Sequence, residues 1–323
     1  MLEKFIISRS DNIGDVVLTI PLAGLIKKTF PHAQVIFLGK KYTKPVIDTC
    51  TFIDDFIDAD ILHSIPTSKA VSQLKKLKAD CIIHVFPNYR LSYLSFRAGI
   101  PVRIGTGRRW YHRLFVNEII PLSRKKSTLH ESQLNLMLLQ TIIPDFRLPN
   151  LADIPQLYGM QKMIPLPDKL KHVIETSRMN VIIHPKSKGS AREWGLDNFS
   201  QLVQMLEPEK YNVIISGTDY EAGKMEGFLK LFKNRAHDLT GKLDLSEYIS
   251  LIAESDALVA ASTGPLHIAA ATGINAIGLY APMKPIFPQR WAPIGLKSEY
   301  LVLNKECNKC KKDLITRKYL SFY

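Results

Sequence analysis

The chain is poor in cysteine, has no long apolar run, and lacks the usual signatures of nucleotide-dependent enzymes. Each absence narrows what it can be. Of 323 residues only four are cysteine, and only Cys307 and Cys310 ("ECNKC") share a CxxC spacing. A structural zinc takes four ligands, and no second CxxC or neighbouring His pair completes the set. Cys50 and Cys81 stand alone, as free thiols do in a reducing compartment. No stretch approaches the ~18 apolar residues of a membrane-spanning helix. The opening "LEKFIIS" is too short, and too soon followed by charge, for a secretory signal, so the expected residence is cytoplasmic. No GxGxxG follows the first apolar run, which removes the NAD fingerprint. GxxxxGK[ST] and HExxH are also missing.

What is present reads as a globular protein, with 46% hydrophobic and 23% charged residues. A chain of this length can bury two separate cores. The net charge of +13 is unevenly spread. Between Phe86 and Lys126 lie nine basic side chains (Arg90, Arg97, Arg103, Arg108, Arg109, Arg113, Arg124, Lys125 and Lys126), seven aromatics and one acid, Glu118. A surface of that kind suits an anionic substrate, an anionic membrane face or nucleic acid. No nucleic-acid recognition motif supports the last of these.

Short β-rich runs alternate with segments of helical period. "KFIIS", "AQVIFLG", "DCIIHVF" and "VRIG" read as strands; "GDVVLTIPLAGLIKKTF", "TSKAVSQLKKLK" and "HESQLNLMLLQTII" read as helices. The Pro-rich stretch "IIPDFRLPNLADIPQLYGMQKMIPLPDK" interrupts the pattern, and alternation restarts at "NVIIHP". There "YNVIISG", "DALVAAS" and "NAIGLYAP" read as strands. "LDNFSQLVQML", "DYEAGKMEGFLKLF", "LSEYISLIAES" and "GPLHIAAATG" read as helices. The expectation is an α/β chain of two Rossmann-like parallel-sheet domains facing across a cleft. Its expected parts are residues 1–155, a linker over 156–175, a second domain over 176–300, and a tail over 301–323 that packs back on the first domain.

Two stretches look built for an anion. In "VAASTGPLHIAAATG" (259–273) a buried strand ends in small residues. Ser262 or Thr263 can cap, Gly264 lets the backbone turn, and Pro265 suits the first helical turn. The exposed N–H groups and positive dipole end then form an anion site, within reach of His267. In "HPKSKGSAREW" (184–194) Ser187, Lys188, Gly189, Ser190 and Arg192 follow a strand, a composition that suits a diphosphate. A third stretch, "RSDNIGDVVLTIP" (9–21), places Asp11 and Asp15 at a strand-to-helix turn. Either carboxylate can serve as a base, and a helix N-terminus predicts lowered proton affinity for Asp15. Asp58 and Asp60 in "IDADI" mimic a metal-binding DxD but read better as a strand end.

Together, "SDNIGDVVLTIP", "RAGIPVRIGTGRRW", "HESQLNLMLL", "HPKSKGSAREW", "LTGKLDLSEYISLIAESDALVAASTGPLHIAAATG" and "APMKPIFPQRW" resemble, in order, the bacterial heptosyltransferases of lipopolysaccharide core synthesis, glycosyltransferase family 9. The resemblance runs from Phe5 to about Trp291. It implies a GT-B fold and an inverting, metal-independent transfer from ADP-heptose to a sugar hydroxyl of the inner core. The general base of the family falls on Asp15, its phosphate-binding cation on Arg192, and its hydroxyl-bearing loop on Ser187 and Lys188. The "TGPLH" element falls on Thr263, Gly264, Pro265 and His267. The ribose-binding acid falls on Glu221, with Asp219 as the alternative, and the adenine contacts near Gly241 and Leu243. Family members usually carry Asp where this chain has Ser262, which bears on the donor sugar.

The resulting expectation gives the acceptor side Asn12, Arg103, Arg108 and Arg109, steering an anionic lipid-linked saccharide at the inner face of the cytoplasmic membrane. No cofactor or metal is expected. A nucleotide-sugar epimerase on the same fold, and a non-catalytic sugar- or lipid-binding homologue, are the alternatives.

Overall fold

A computed structural model describes residues 2–124, 126–281 and 287–302. Lys125, Cys307, Cys310, most of the 301–323 tail and the middle of "APMKPIFPQRW" therefore lie outside the described residues. The chain divides into two compact units, one ending at Lys162 and the other beginning at Met163.

The first unit carries β1 (Lys4–Ser8), β2 (Gln34–Gly39), β3 (Asp55–Asp58), β4 (Cys81–His84), β5 (Val102–Thr106) and β6 (Glu118–Ile120). All neighbours pair in parallel, in the order β3-β2-β1-β4-β5-β6. The second unit carries β7 (Met179–His184), β8 (Tyr211–Ile215), β9 (Ala236–Asp238), β10 (Ala257–Ala261), β11 (Asn275–Tyr280) and β12 (Ser298–Val302). Its order is β12-β11-β10-β7-β8-β9, again parallel throughout. Numbered from its own first strand, each sheet has the Rossmann order 3-2-1-4-5-6. The expected α/β architecture of two Rossmann-like domains is present.

The central strands form because they are apolar on both faces, as parallel sheets require. Ile6, Ile36, Leu38 and Ile82 pack under Leu62, Leu74, Leu91 and Leu94 from helices Ala59–Ser64, Thr67–Lys76 and Tyr89–Arg97. In the second unit Val181, Ile183, Val213 and Ile215 pack under Phe199, Val203 and Phe228. Removing one such side chain to alanine costs about 2–5 kcal/mol.

Three helical readings are shorter in the structure than in the sequence. "GDVVLTIPLAGLIKKTF" gives two helices, Ile13–Val17 and Pro21–Thr29, because Pro21 lacks the N–H to continue a helix and instead begins one. "DYEAGKMEGFLKLF" gives Asp219–Ala222 and Glu226–Leu231, separated at Gly223. "HESQLNLMLLQTII" is helical over Glu131–Leu136 and tightens into a 3-10 turn over Met137–Leu139. Strands β6, β9 and β12 have no counterpart among the strands expected from the sequence.

The 156–175 stretch is shared between the units. Thr51 N donates to Gly159 O at 2.8 Å, and Gln161 N and Lys162 N donate to Thr49 O at 2.9 Å. Beyond the boundary, Ser250 Oγ donates to Ile164 O and Asn212 Nδ2 to Val173 O. The 3-10 helix Leu151–Leu157 packs on Pro21–Thr29 at Gly24. A Cβ there would lie 2.8 Å from the Leu157 Cα, so only glycine permits the approach.

Candidate functional sites

In an open Rossmann sheet, ligands collect at the C-terminal ends of the strands where the order reverses. Here that point lies between β1 and β4 in one unit and between β7 and β10 in the other. The acidic turn leaves the end of β1, and the two anion stretches leave the ends of β7 and β10, which are paired neighbours. Topology thus brings together two loops that lie some seventy residues apart in sequence.

In the first unit the turn after β1 carries Arg9, Asp11, Asn12 and Asp15. Arg9 is buried and reaches three acids. Its Nε donates to Asp11 Oδ1 (2.7 Å), one terminal nitrogen to Asp15 Oδ1 (2.5 Å), and the other lies 3.4 Å from Glu131 Oε1 and Asn135 Oδ1. Arg124 closes the far side, donating to Glu131 Oε1 at 2.9 Å and Asn135 Oδ1 at 2.8 Å. Asn135 donates in turn to Leu18 O, and the Thr19 hydroxyl donates to Asp15 O. Asp11 is therefore paired rather than capping. Asn12 occupies the N-cap of helix Ile13–Val17 without a side-chain cap bond, and it is exposed.

The predicted lowering of the Asp15 proton affinity is reversed. Burial raises its pKa, Arg9 opposes the rise, and Asp11 and Glu131 add to it, leaving a value of about 6. The helix end is a single short one, and its dipole is worth about 1 kcal/mol or less. Desolvation of a mostly buried carboxylate is the larger effect. Arg9 moves upward from the ordinary guanidinium value: burial works against its charge, but Asp11, Asp15 and Glu131 outweigh it. The outcome is a carboxylate ionised near neutrality yet basic enough to take a proton.

The Arg-rich stretch divides by function. Arg103 is half-buried and donates to Phe115 O (2.7 Å), Ile100 O and Pro101 O, with its guanidinium over the Phe96 ring. It braces the fold. Arg108 and Arg109 are exposed. Asp58 ends β3 and caps the next helix by accepting from Asp60 N, the strand end expected from the sequence.

In the second unit the loop after β7 is closed by a residue the sequence reading missed, Glu193. It accepts from Ser187 N (3.0 Å) and pairs with Lys186 Nζ (2.7 Å). Burial works against its charge, yet Lys186 and the Ser187 N–H and hydroxyl hold its carboxyl below the usual range. Ser187 Oγ lies 3.0 Å from Ala191 O and accepts from Gly189 N, so this hydroxyl shapes the loop. Lys188, with φ +49°, is turned out to the exposed side, and Arg192 is half-buried.

After β10, Thr263 is the N-cap of helix Gly264–Thr272, with Pro265 in its first turn and His267 buried one turn in. Among the described residues the buried Thr263 hydroxyl finds no hydrogen-bond partner. An orphaned hydroxyl beside free helix N–H groups is the environment an anion completes. Ser262 follows β10 directly, close enough to the buried Tyr280 phenol to hydrogen-bond it.

After β8, Glu221 is buried and its Oε2 accepts from Thr218 N (2.8 Å) and Oγ1 (2.9 Å) in a capping box. Asp219, the alternative ribose acid, is exposed at the same helix start. Gly241 (φ +70°) donates to Gly217 O at 2.9 Å, and a Cβ on it would lie 3.0 Å from Asp219 Cα. Leu243, half-buried, completes that edge. His184 is buried at the end of β7 on Ser216 Oγ, which bonds the Tyr248 hydroxyl at 2.7 Å.

Among the described residues no group of three or more His, Cys, Asp or Glu is arranged to hold a metal.

The profile of glycosyltransferase family 9 (heptosyltransferase) matches residues 68–319. A lipopolysaccharide core heptosyltransferase of Haemophilus influenzae is 23% identical over 308 residues, covering 88% of this chain and 80% of that protein. Among solved structures, a glycosyl transferase family 9 protein of Veillonella parvula superposes with a TM-score of 0.73 at 17% identity, covering 99% of this chain and 90% of its own. The ADP-heptose lps heptosyltransferase II of E. coli gives 0.73 at 19% identity, with 95% and 92% covered.

Proposed function

The chain belongs to glycosyltransferase family 9, the heptosyltransferases, and is a glycosyltransferase of GT-B fold; from that premise we propose that it moves heptose from ADP-heptose to a lipopolysaccharide inner-core hydroxyl with inversion. The observation that carries the reading is the Asp15 environment: a carboxylate tuned to about 6, held by a buried arginine at the end of the first strand.

In this mechanism Asp15 takes the proton of the acceptor hydroxyl as that oxygen attacks the anomeric carbon. The C–O bond to the diphosphate breaks on the opposite face, and ADP leaves with the bonding pair. Because the attack is in line, the anomeric centre inverts. Arg192, Lys188 and the N–H groups at Gly264 and Leu266 neutralise the charge gathering on the diphosphate, work that a metal does in other transferases. Pro265 has no N–H to give. The Thr263 hydroxyl supplies one further bond to it. The ribose is taken at the Asp219–Glu221 helix start and the adenine along Gly241–Leu243. Ser262 contacts the donor sugar with one hydroxyl where a carboxylate would accept two bonds. The acceptor is an anionic lipid-linked saccharide reached from the cytoplasmic side, drawn by Asn12, Arg108 and Arg109.

Calorimetry across ADP-, UDP- and GDP-sugars, paired with turnover of Asp15→Asn and Arg192→Ala, tests this reading. ADP-heptose should bind tightest. Asp15→Asn should lose turnover by about a thousandfold or more with ADP affinity kept. Arg192→Ala should lose both affinity and rate. Isomerisation of donor incubated alone, or turnover retained by Asp15→Asn, would count against the proposal.

A further inference from the structure

We propose that helix Tyr89–Arg97 and the segment Arg108–Phe115 form a docking surface for an anionic phospholipid bilayer. The proposal extends the reading above, because a lipid-linked acceptor lies in such a bilayer. Vesicle binding without donor or acceptor lets either claim fail alone.

Six aromatic rings form one continuous array on the first unit. Tyr89 stacks on Tyr93 at 6.4 Å and meets Trp110, Tyr111 and Phe115 at 5.5–6.1 Å. Phe115 meets Tyr93 at 5.4 Å and Phe96 at 5.6 Å. Rings this large normally disappear into a core. Here Trp110 is 66% exposed, Leu114 61%, Tyr89 51% and Phe96 44%. A contiguous apolar patch of this kind marks an interaction site. Its chemistry points to a membrane interface, because Trp and Tyr are the side chains that settle at headgroup depth.

The charge agrees. Arg97, Arg108, Arg109 and Arg113 are exposed around the rings, and Glu118 is the one acid between Phe86 and Lys126. Arg97 also lies over the Tyr93 ring, 5.6 Å from its centroid. Arg90 and Arg103 stand apart, since they hold the array from below. Arg90 donates to Leu62 O and Ile65 O, and Arg103 donates to Phe115 O. The rings are thus fixed before they meet a partner, so little side-chain entropy is lost on docking. No helix of the described residues is long and apolar enough to cross a bilayer. Single-stranded nucleic acid fits less well: it needs ring faces free to stack on successive bases, whereas Tyr89 is flanked by Tyr93, Trp110, Tyr111 and Phe115.

The test is co-sedimentation of the full chain with vesicles of phosphatidylcholine alone or mixed with phosphatidylglycerol, at low salt. Two variants are used, Arg108→Gln/Arg109→Gln/Arg113→Gln and Trp110→Ser/Leu114→Ser, with far-UV circular dichroism showing that each folds. The wild type should partition onto the mixed vesicles and not the neutral ones. The arginine variant should bind about a hundredfold more weakly, and the Trp110/Leu114 variant about tenfold or more. The proposal fails if the wild type ignores mixed vesicles or if both variants bind as it does. It fails equally if the wild type binds a single-stranded oligonucleotide in place of vesicles.

Discussion

Replacing Asp15 by asparagine should stabilise the protein while stopping its chemistry, and the gain should depend on pH in a way fixed by the site. The Asp15 pKa rises from an ordinary 3.8 to about 6, chiefly through burial. At about 1.4 kcal/mol per pKa step, holding this group ionised in the fold costs about 3 kcal/mol. The attraction of Arg9 is already inside that balance. Because the folded pKa lies above the unfolded one, the native state binds this proton more tightly. Wild-type stability therefore falls as pH rises between about 4 and 6, and the full cost is present above that window. Asparagine has nearly the same shape and no charge, so it escapes the cost. The Asp15→Asn protein should match the wild type near about pH 4 and exceed it by about 3 kcal/mol at about pH 8, a rise of about 6–12 °C in the melting of the first unit. Thermal melts of both proteins across that range measure the difference. A variant that melts at or below the wild type at about pH 8 would refute the reasoning, because desolvation would then not dominate the site.

Two other substitutions probe the supports. Glu193→Gln removes the charge that holds Lys186 and the Ser187 N–H; ADP should bind about tenfold more weakly as the loop loses shape, read by calorimetry, and unchanged affinity would leave Glu193 without that role. Gly24→Ala drives a methyl group against the Leu157 backbone. It should cost about 3 kcal/mol in chemical denaturation, and a cost near zero would mean that the 151–157 turn moves freely.

How far the sequence revealed this structure depended on burial. Strands such as "FIIS", "VIFLG" and "VIIH" are apolar on both faces and declare themselves. The outer strands "EII" and "AHD" are three residues long and half-covered, and their pairing is decided by a neighbour distant in sequence. Loops after β7 and β10 were visible because glycine, serine and proline cluster where a backbone turns sharply. The partners of those loops were not. Arg9 meets Glu131 across 122 residues, and nothing local to either predicts the contact. The burial of Asp15, which is the main cause of its raised pKa, is equally invisible from the local residues, so the influence the sequence shows is the helix end, which points toward lower proton affinity. Glu193 was passed over for a related reason. An acid in a basic loop looks out of place until Lys186 and the Ser187 amide are seen closing on it. Arg103 is the converse case, since a basic stretch does not show which guanidinium donates to backbone carbonyls.

The central claim, that Asp15 receives the acceptor proton at a tuned acidity, is tested most directly by the pH dependence of kcat/KM with ADP-heptose and a deacylated core acceptor. The account predicts a single ionisation, with the rate rising about tenfold per pH unit below about 6 and levelling above it, in step with the value of about 6 in the structure. A rate that stays flat through that range, or a limb placed near an ordinary carboxylate value of about 4, would contradict it.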